Sequence, residues 1–110
     1  MLKKGEIRLV EIPGSNGYEQ TGTRPAIIMA EAEANIAIVI PFTSNVRALR
    51  YPHTIEVNPS VSNGLKTESV ALVFQLRAID KKRIKNKLGM IGSKEIGKID
   101  KMVKEMLSIH

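Results

Sequence analysis

Residues 25–40 read PAIIMAEAEANIAIVI, and this stretch decides the fold. It contains two short apolar runs, residues 25–30 and 36–40, in which isoleucine, valine and alanine dominate. Short apolar runs without polar alternation are typical of strands that are buried on both faces. The polar residues 31–35 between the runs predict a turn or a short helical link. The sequence therefore predicts two buried β-strands, with Pro41 ending the second.

Further strand patterns lie on both sides of this pair. Residues 5–12 alternate apolar and polar side chains, which predicts a strand with one wet face. Residues 13–23 are polar and rich in turn formers, and they predict a loop of about eleven residues. Loops of this length are often functional. Residues 54–57 and 87–91 predict two short strands. Residues 69–76 place apolar side chains at period two, and Ala71 and Val73 make the other face apolar as well, which predicts a central strand.

The C-terminal part of the chain contains the only convincing helix pattern. Residues 94–109 predict an amphipathic helix with Ser93 as its cap, and Asp80 caps a short helical turn over residues 81–84. Apolar residues recur at three- and four-residue spacing in the helix: Ile96, Ile99, Val103, Met106 and Ile109. Many strands followed by one helix predict a mainly β fold, a small and mostly antiparallel barrel of five to seven strongly bent strands in a single domain over residues 1–110.

The composition limits the classes of protein. The chain of 110 residues has no cysteine, which excludes disulfides, thiolate nucleophiles and zinc–sulfur sites and fits a reducing cytoplasm. No apolar stretch suits a signal peptide or a membrane span. We therefore expect a cytoplasmic protein with no membrane partner, whose small aliphatic core would gain from a dimer interface.

The net charge of +6 is concentrated at one end of the chain. Residues 1–80 carry eight basic and eight acidic side chains, whereas residues 81–110 carry nine basic and three acidic ones. A basic segment of this kind indicates an anionic partner such as nucleic acid. A solvated basic helix and turn explain the same charges without any partner.

Most catalytic signatures are absent from the sequence. The chain has two histidines, His53 and the terminal His110, and shows no metal-ligand spacing, phosphate-binding glycine loop or serine elbow. An enzyme of this composition must use Arg, Thr, Glu, Gln or Tyr on a substrate that supplies part of the chemistry. RNA is such a substrate, because its 2′-hydroxyl is a nucleophile already close to phosphorus. A guanidinium then suits the charge of the phosphorane.

Two segments supply groups for this chemistry. Residues 17–25 form a polar stretch that ends in Arg24 at the start of a buried strand, and residues 40–45 gather hydroxyls and an amide at a strand end. A surface ion pair explains Arg24 equally well, and a turn or helix cap explains Thr43 and Ser44. Composition alone favours these structural roles.

Four short motifs, in family order, resemble those of the MazF/PemK toxins. Residues 4–7 (KGEI) resemble the opening strand of these toxins, and residues 19–25 (EQTGTRP) resemble the E-Q-x-G-x-R-P motif. Residues 41–44 (PFTS) are similar to the P-x-T-S segment, and residues 75–81 (QLRAIDK) to the Q-x-R-x-I-D-K segment. The ordered set and the amphipathic helix that follows it cover nearly the whole chain.

The resemblance implies an SH3-like barrel of the MazF/PemK/CcdB toxin type that forms a homodimer and is neutralised by a cognate antitoxin. It implies the toxin of a type II toxin–antitoxin system, which cuts single-stranded RNA sequence-selectively to 2′,3′-cyclic phosphate and 5′-hydroxyl ends without a metal or cofactor. Arg24 is then the catalytic arginine and Thr43 the catalytic threonine, and Glu19 either takes the 2′ proton or holds Arg24 in place. The predicted substrate-binding residues are Tyr18, Gln20, Ser44, Asn45, His53, Gln75 and Arg77.

The sequence also departs from one branch of the family. That branch has a histidine at the position of Tyr18, and an arginine and an aspartate where Leu72 and Phe74 stand. These departures exclude an Arg/Asp/His mechanism and leave the version that uses Arg24 and Thr43. The base that removes the 2′ proton is then open between Glu19 and His53.

Two alternatives to an active ribonuclease share the same fold. One is a barrel toxin that poisons DNA gyrase by binding alone, through its C-terminal helix and without a need for Arg24. The other is a degenerate barrel that binds nucleic acid without cutting it, as the departures at Leu72 and Phe74 allow. Because all three readings share a fold, only the site decides between them.

Overall fold

The computed structural model describes residues 1–14 and 22–109. This part of the chain contains seven β-strands, three short 3-10 helices and one α-helix. The strands are β1 Glu6–Ile12, β2 Gly22–Glu31, β3 Ile36–Thr43, β4 Thr54–Val57, β5 Ser69–Leu72, β6 Arg77–Asp80 and β7 Ile84–Met90. The α-helix α1 is Ser93–Met106, and the 3-10 helices are Val46–Arg50, Val73–Gln75 and Lys81–Arg83. The predicted mainly β fold with a C-terminal helix is confirmed.

The strands form an antiparallel sheet in the order β4-β5-β3-β2-β1-β7, with β6 also paired to β3. One edge of β3 pairs with β2. Its other edge is divided between two strands, because Ile36 to Val39 pair with β6 while Phe42 and Thr43 pair with β5. The sheet therefore bends along β3. Strands β4 and β7 end the described order, so this part of the chain forms an open barrel.

Several predicted strand boundaries were wrong. Strand β7 begins at Ile84, which the sequence pattern assigns to the helical turn over residues 81–84, and it ends at Met90 rather than at residue 91. Two other differences lie at the bend. The predicted strand over residues 69–76 ends at Leu72, and the 3-10 helix Val73–Gln75 carries the chain from β5 to β6. Pro41 does not end β3 but lies within it, opposite Ala26 of β2. On the other side of β3, position 41 falls between the segments paired with β6 and β5, so a missing N–H is tolerated there.

The helix begins and ends earlier than its sequence pattern predicts. Ser93 is its first residue rather than its cap, and Gly92 occupies the cap position without a side-chain hydrogen bond. The helix ends at Met106, so Ile109 lies beyond it and is 55% exposed instead of packing in the core. The predicted cap at Asp80 is confirmed, because its carboxylate accepts the Lys82 N–H at 3.0 Å.

Apolar side chains pack on both faces of the central strands. In β2, Ile27 belongs to a cluster with Phe42 and with Ile99 of α1, whereas its neighbour Ile28 belongs to a second cluster with Val39. All of these side chains are buried, which confirms the prediction that the two apolar runs form strands covered on both faces. Among the described residues, no helix is long and apolar enough to cross a membrane.

Glu6 is a buried carboxylate at the start of β1. Its side chain is 5% exposed and forms ion pairs with Arg8 at 3.5 Å and Lys87 at 3.6 Å. Burial by itself raises the pKa of Glu6, but the hydrogen bond from the Lys3 N–H and the two cations outweigh it and hold the pKa below its usual value. Glu6 in its charged form therefore stabilises the folded state.

Candidate active site

Strand pairing brings Arg24 and Thr43 together at the same end of two neighbouring strands. Arg24 lies near the start of β2, which begins two residues earlier, at Gly22, and Thr43 is the last residue of β3. The two strands are antiparallel neighbours, with Ala26 opposite Pro41. Extending this register by two residues aligns Arg24 with Thr43. Two motifs that are well separated in the sequence therefore meet across one strand pair.

Arg24, Thr43 and Ser44 line one cavity of about 420 Å³. Its charged side chains among the described residues are Arg24 and Lys66, and no acidic residue of that part of the chain contributes to the lining. The polar remainder consists of hydroxyls and one amide, from Thr23, Thr43, Ser44, Thr67, Ser69 and Asn86. Cations together with hydroxyl and amide donors suit a phosphate group.

The Thr43 hydroxyl has a fixed acceptor role that leaves its proton available. Thr43 is 6% exposed, and its Oγ1 accepts the N–H of Asn45 at 3.2 Å. The side-chain oxygen of Asn45 in turn accepts the N–H of Arg47 at 3.1 Å and caps the first 3-10 helix. Thr43 therefore has the turn role that composition favours. The Thr43 O–H can still donate into the cavity, because a hydroxyl accepts and donates at once.

A second cavity of about 430 Å³ adjoins the first, and Thr43 lines both. Asn45 and Gln75 line it, together with the aromatic rings of Tyr51 and Phe74, whose centroids are 5.8 Å apart. The rest of its lining is Arg47, Ala48, Arg50 and Leu72. Aromatic faces beside amide groups are typical of sites that stack and hydrogen-bond an unpaired nucleobase.

Two of the remaining predicted site residues, His53 and Arg77, line neither cavity. His53 has a left-handed backbone with φ 58°, and its carbonyl accepts the Phe74 N–H at 3.3 Å, but it lines neither cavity. Arg77 lies on β6 opposite Val39 and lines neither cavity. Tyr18, Glu19 and Gln20 lie outside the described residues. The roles assigned to these five residues stay predictions.

Sequence reasoning missed several lining residues, chief among them Lys66, Tyr51 and Arg50. Residues 58–68 carried only turn signals, and nothing local in them indicates that they fold against the start of β2. The guanidinium of Arg50 lies 5.0 Å from the centroid of the Tyr51 ring, and that pairing of neighbours was the one local hint. Within residues 1–14 and 22–109, no group of three or more His, Cys, Asp or Glu side chains is placed to hold a metal ion.

The sheet is bent and antiparallel, a C-terminal helix follows it, and a cationic cavity lies where β2 begins and β3 ends. These features define a small β-barrel protein suited to a phosphate-bearing ligand. A sequence profile described as PemK-like, MazF-like toxin of type II toxin–antitoxin system matches residues 3–107. The chain belongs to this toxin family.

Similar proteins agree with that assignment. An endoribonuclease MazF from Staphylococcus saprophyticus is 28% identical over 114 aligned positions, which cover 100% of this chain and 94% of the relative. The crystal structure of MazF from Deinococcus radiodurans superposes with a TM-score of 0.81 at 19% identity, over 97% of this chain and 96% of that one. A mycobacterial endoribonuclease in complex with its cognate antitoxin superposes with a TM-score of 0.69 at 15% identity, over 97% and 93%. These structures confirm the predicted barrel fold.

Proposed function

We propose that this protein is a single-domain toxin that acts as a metal-independent endoribonuclease on single-stranded RNA in the cytoplasm. The observation that carries the proposal is the meeting of Arg24 and Thr43 in one cavity, which has two cationic side chains and, in the described part of its lining, no acidic one. The staphylococcal relative's name, an endoribonuclease, supports the same activity.

The proposed reaction uses a nucleophile that the substrate carries. The 2′-oxygen forms a bond to phosphorus and the bond from phosphorus to the 5′-oxygen breaks, which leaves a 2′,3′-cyclic phosphate and a 5′-hydroxyl. A base accepts the 2′ proton, and the leaving 5′-oxygen takes up a proton. Between these events, negative charge accumulates on the non-bridging oxygens of the phosphorane. This developing charge is what a preorganised site stabilises.

Arg24 and Thr43 have different roles in this scheme. Arg24 presents a planar, permanently charged fork of donors to the phosphorane, and the Thr43 hydroxyl donates one hydrogen bond that orients the phosphate. We assign Glu19 to holding Arg24 rather than to removing the 2′ proton, because a carboxylate paired with arginine is a poor base at neutral pH. Ser44 adds a hydroxyl to the same cavity.

The second cavity is proposed to hold a base next to the scissile phosphate. Thr43 lines both cavities, so a strand whose phosphate lies beside Thr43 can place a neighbouring nucleobase between Tyr51, Phe74 and Gln75. Stacking gives affinity for any base, and the amides of Asn45 and Gln75 supply the selectivity. Leu72 and Phe74 make this cavity more apolar than the arginine and aspartate of the other branch would.

We propose a homodimer with the RNA groove at or beside its interface. The apolar side chains of Val46 and Leu49 on the first 3-10 helix are 47% and 40% exposed, and they lie outside the lining of the second cavity. A second copy of the chain would cover this patch. Light scattering is expected to give about twice the chain mass of 12.2 kDa. A stable monomer that still cleaves RNA would overturn the dimer.

The proposed protein partner is an acidic antitoxin that crosses the RNA groove. The similar structures include a mycobacterial endoribonuclease in complex with its cognate antitoxin and the MazE–MazF structure of Deinococcus radiodurans, which has a TM-score of 0.74 at 20% identity over 99% of this chain and 97% of that one. The basic residues 81–110 would steer an acidic segment towards the toxin. Binding that is insensitive to salt and leaves RNA cleavage intact would contradict this.

Cleavage of a labelled RNA by the purified protein in excess chelator tests the proposed function. We expect fragments with 2′,3′-cyclic phosphate and 5′-hydroxyl ends. Binding without cleavage would favour the degenerate barrel, and inhibition of gyrase without any RNA cleavage would favour the gyrase-binding toxin. Loss of cleavage on chelation would contradict the metal-independent reaction.

A further inference from the structure

The segment between β4 and β5, residues 58–68, forms one wall of the cavity that holds Arg24 and Thr43. Its residues Gly64, Leu65, Lys66 and Thr67 line that cavity. Leu65 is buried in the main core cluster and Ser69 is buried at the start of β5, so the chain is anchored on both sides of Lys66. The position of Lys66 relative to the cavity is therefore set by the fold.

A buried amide holds this segment in shape. Asn63 is 6% exposed, and its side-chain oxygen accepts the N–H groups of Ser60 and Leu65 at 3.0 and 2.9 Å. Its side-chain nitrogen donates to the Asn58 carbonyl at 2.8 Å, and its own N–H donates to the Ser60 hydroxyl at 3.1 Å. These bonds close the turn immediately before Lys66 and satisfy polar groups that burial would otherwise leave unpaired.

Two glycines allow the same segment to pack closely against β7. A Cβ atom at Gly64 would lie 2.1 Å from the Leu88 carbonyl oxygen, and Gly64 has a positive φ of 69°. A Cβ atom at Gly89 would lie 2.3 Å from the Ser62 carbonyl oxygen, which accepts the Met90 N–H at 2.9 Å. Such close backbone approaches are possible only without side chains. The wall that carries Lys66 is packed rather than open.

Lys66 itself is not used by this packing. It is exposed, and it forms no ion pair or hydrogen bond with the described residues. By contrast, several other lysines are paired with acidic side chains, as Lys81 is with Glu31 at 2.8 Å and Lys4 with Asp100 at 2.8 Å. A packed wall therefore places an unpaired lysine in the lining of a cavity that has only one other charged side chain among its described lining residues.

We infer that Lys66 is a phosphate-binding residue of this site and contacts the RNA backbone next to the scissile phosphate. The inference rests on the proposed function. A lysine ammonium binds phosphate as a point charge, and a phosphate next to the scissile one keeps its charge throughout the reaction, so this contact is equally strong in the ground state and the transition state. Lys66 therefore contributes to RNA affinity, whereas Arg24 contributes to the rate of the chemical step.

The test compares Lys66→Gln, Lys66→Arg and, as a control of equal charge change, Lys3→Gln at an exposed lysine that lines neither cavity. Two quantities are measured for each variant: KM and the single-turnover rate with RNA, and the affinity for a mixed-sequence 2′-O-methyl single strand across several salt concentrations. The methylated strand has no free 2′-hydroxyl, so its binding does not depend on cleavage.

We expect Lys66→Gln to raise KM roughly two- to fivefold and to reduce the salt slope of binding by about 0.7, with an unchanged rate at saturating RNA. Lys66→Arg should restore affinity. The inference is overturned if Lys66→Gln matches Lys3→Gln in both measurements, or if its main effect is on the saturated rate. A wild-type protein that cuts no RNA refutes the proposed function instead, and binding of the methylated strand still decides the role of Lys66.

Discussion

Replacing Asn63 with alanine should destabilise the protein through the wall of the active-site cavity. The substitution removes three side-chain hydrogen bonds, to Ser60, Leu65 and Asn58, at a residue that is 6% exposed. The Leu65 N–H belongs to a buried residue and would be left without this partner. At about 0.5–1.5 kcal/mol for each bond, with a further cost for a buried donor left unpaired, we expect a loss of roughly 2–4 kcal/mol.

Urea denaturation measures this loss, with Asn58→Ala as the control, because the Asn58 side chain is exposed and the network uses only its backbone carbonyl. A domain with a stability of about 5–15 kcal/mol still folds after such a loss, so kinetics can be measured on the same variant. We expect a raised KM, because the loop no longer holds Lys66 at the cavity. A loss below about 0.5 kcal/mol, equal to that of Asn58→Ala, would refute the reasoning.

Three further perturbations separate the roles of individual side chains. Thr43→Ala should lower the single-turnover rate by roughly ten- to a hundredfold, whereas Thr43→Ser, which keeps the hydroxyl, should retain most of the wild-type rate; a Thr43→Ala rate equal to that of the wild type would contradict a role for Thr43 in the reaction. His53→Asn keeps a residue that tolerates the left-handed backbone and should keep the saturated rate; a large loss of that rate would identify His53 as the base that accepts the 2′ proton. Glu6→Gln should cost about 1–2 kcal/mol at pH 7 in urea titrations, unlike the exposed Glu56→Gln. Because the pKa of Glu6 is lowered in the folded state, its contribution to the free energy of unfolding is complete above the unfolded pKa and disappears as the pH falls through the folded pKa. A stability difference between the wild type and Glu6→Gln that persists in strong acid would contradict this.

The strands that carry the site could be predicted from local patterns. The two apolar runs around residues 31–35 become β2 and β3, and residues 54–57 become β4 with the predicted bounds. The break at Leu72 could not be predicted, because the alternation of residues 69–76 continues through it. Its cause is the bend along β3, which is a property of the whole sheet rather than of that segment.

The candidate site, like the fold, could be predicted only in part from local sequence. Arg24 and Thr43 were predicted from motifs, and their meeting follows from the pairing of β2 with β3. Lys66 was not predicted, since its segment reaches the cavity through contacts of Gly64 and Gly89 that join residues far apart in the chain. Thr43 shows the limit of composition: its hydroxyl accepts the Asn45 N–H, which is the turn role that composition favours, and the residue also lines the cavity, so the structural role does not exclude the functional one.

The central claim is that Arg24 stabilises the phosphorane in a reaction that needs no metal. It is tested most directly by single-turnover cleavage of one RNA, in chelator, by the wild type and by Arg24→Ala. The removal of one preorganised charge donor is expected to slow cleavage by about a hundred- to a thousandfold, while circular dichroism and light scattering show an unchanged fold and assembly. Wild-type cleavage rates in Arg24→Ala would contradict the assignment of the active site.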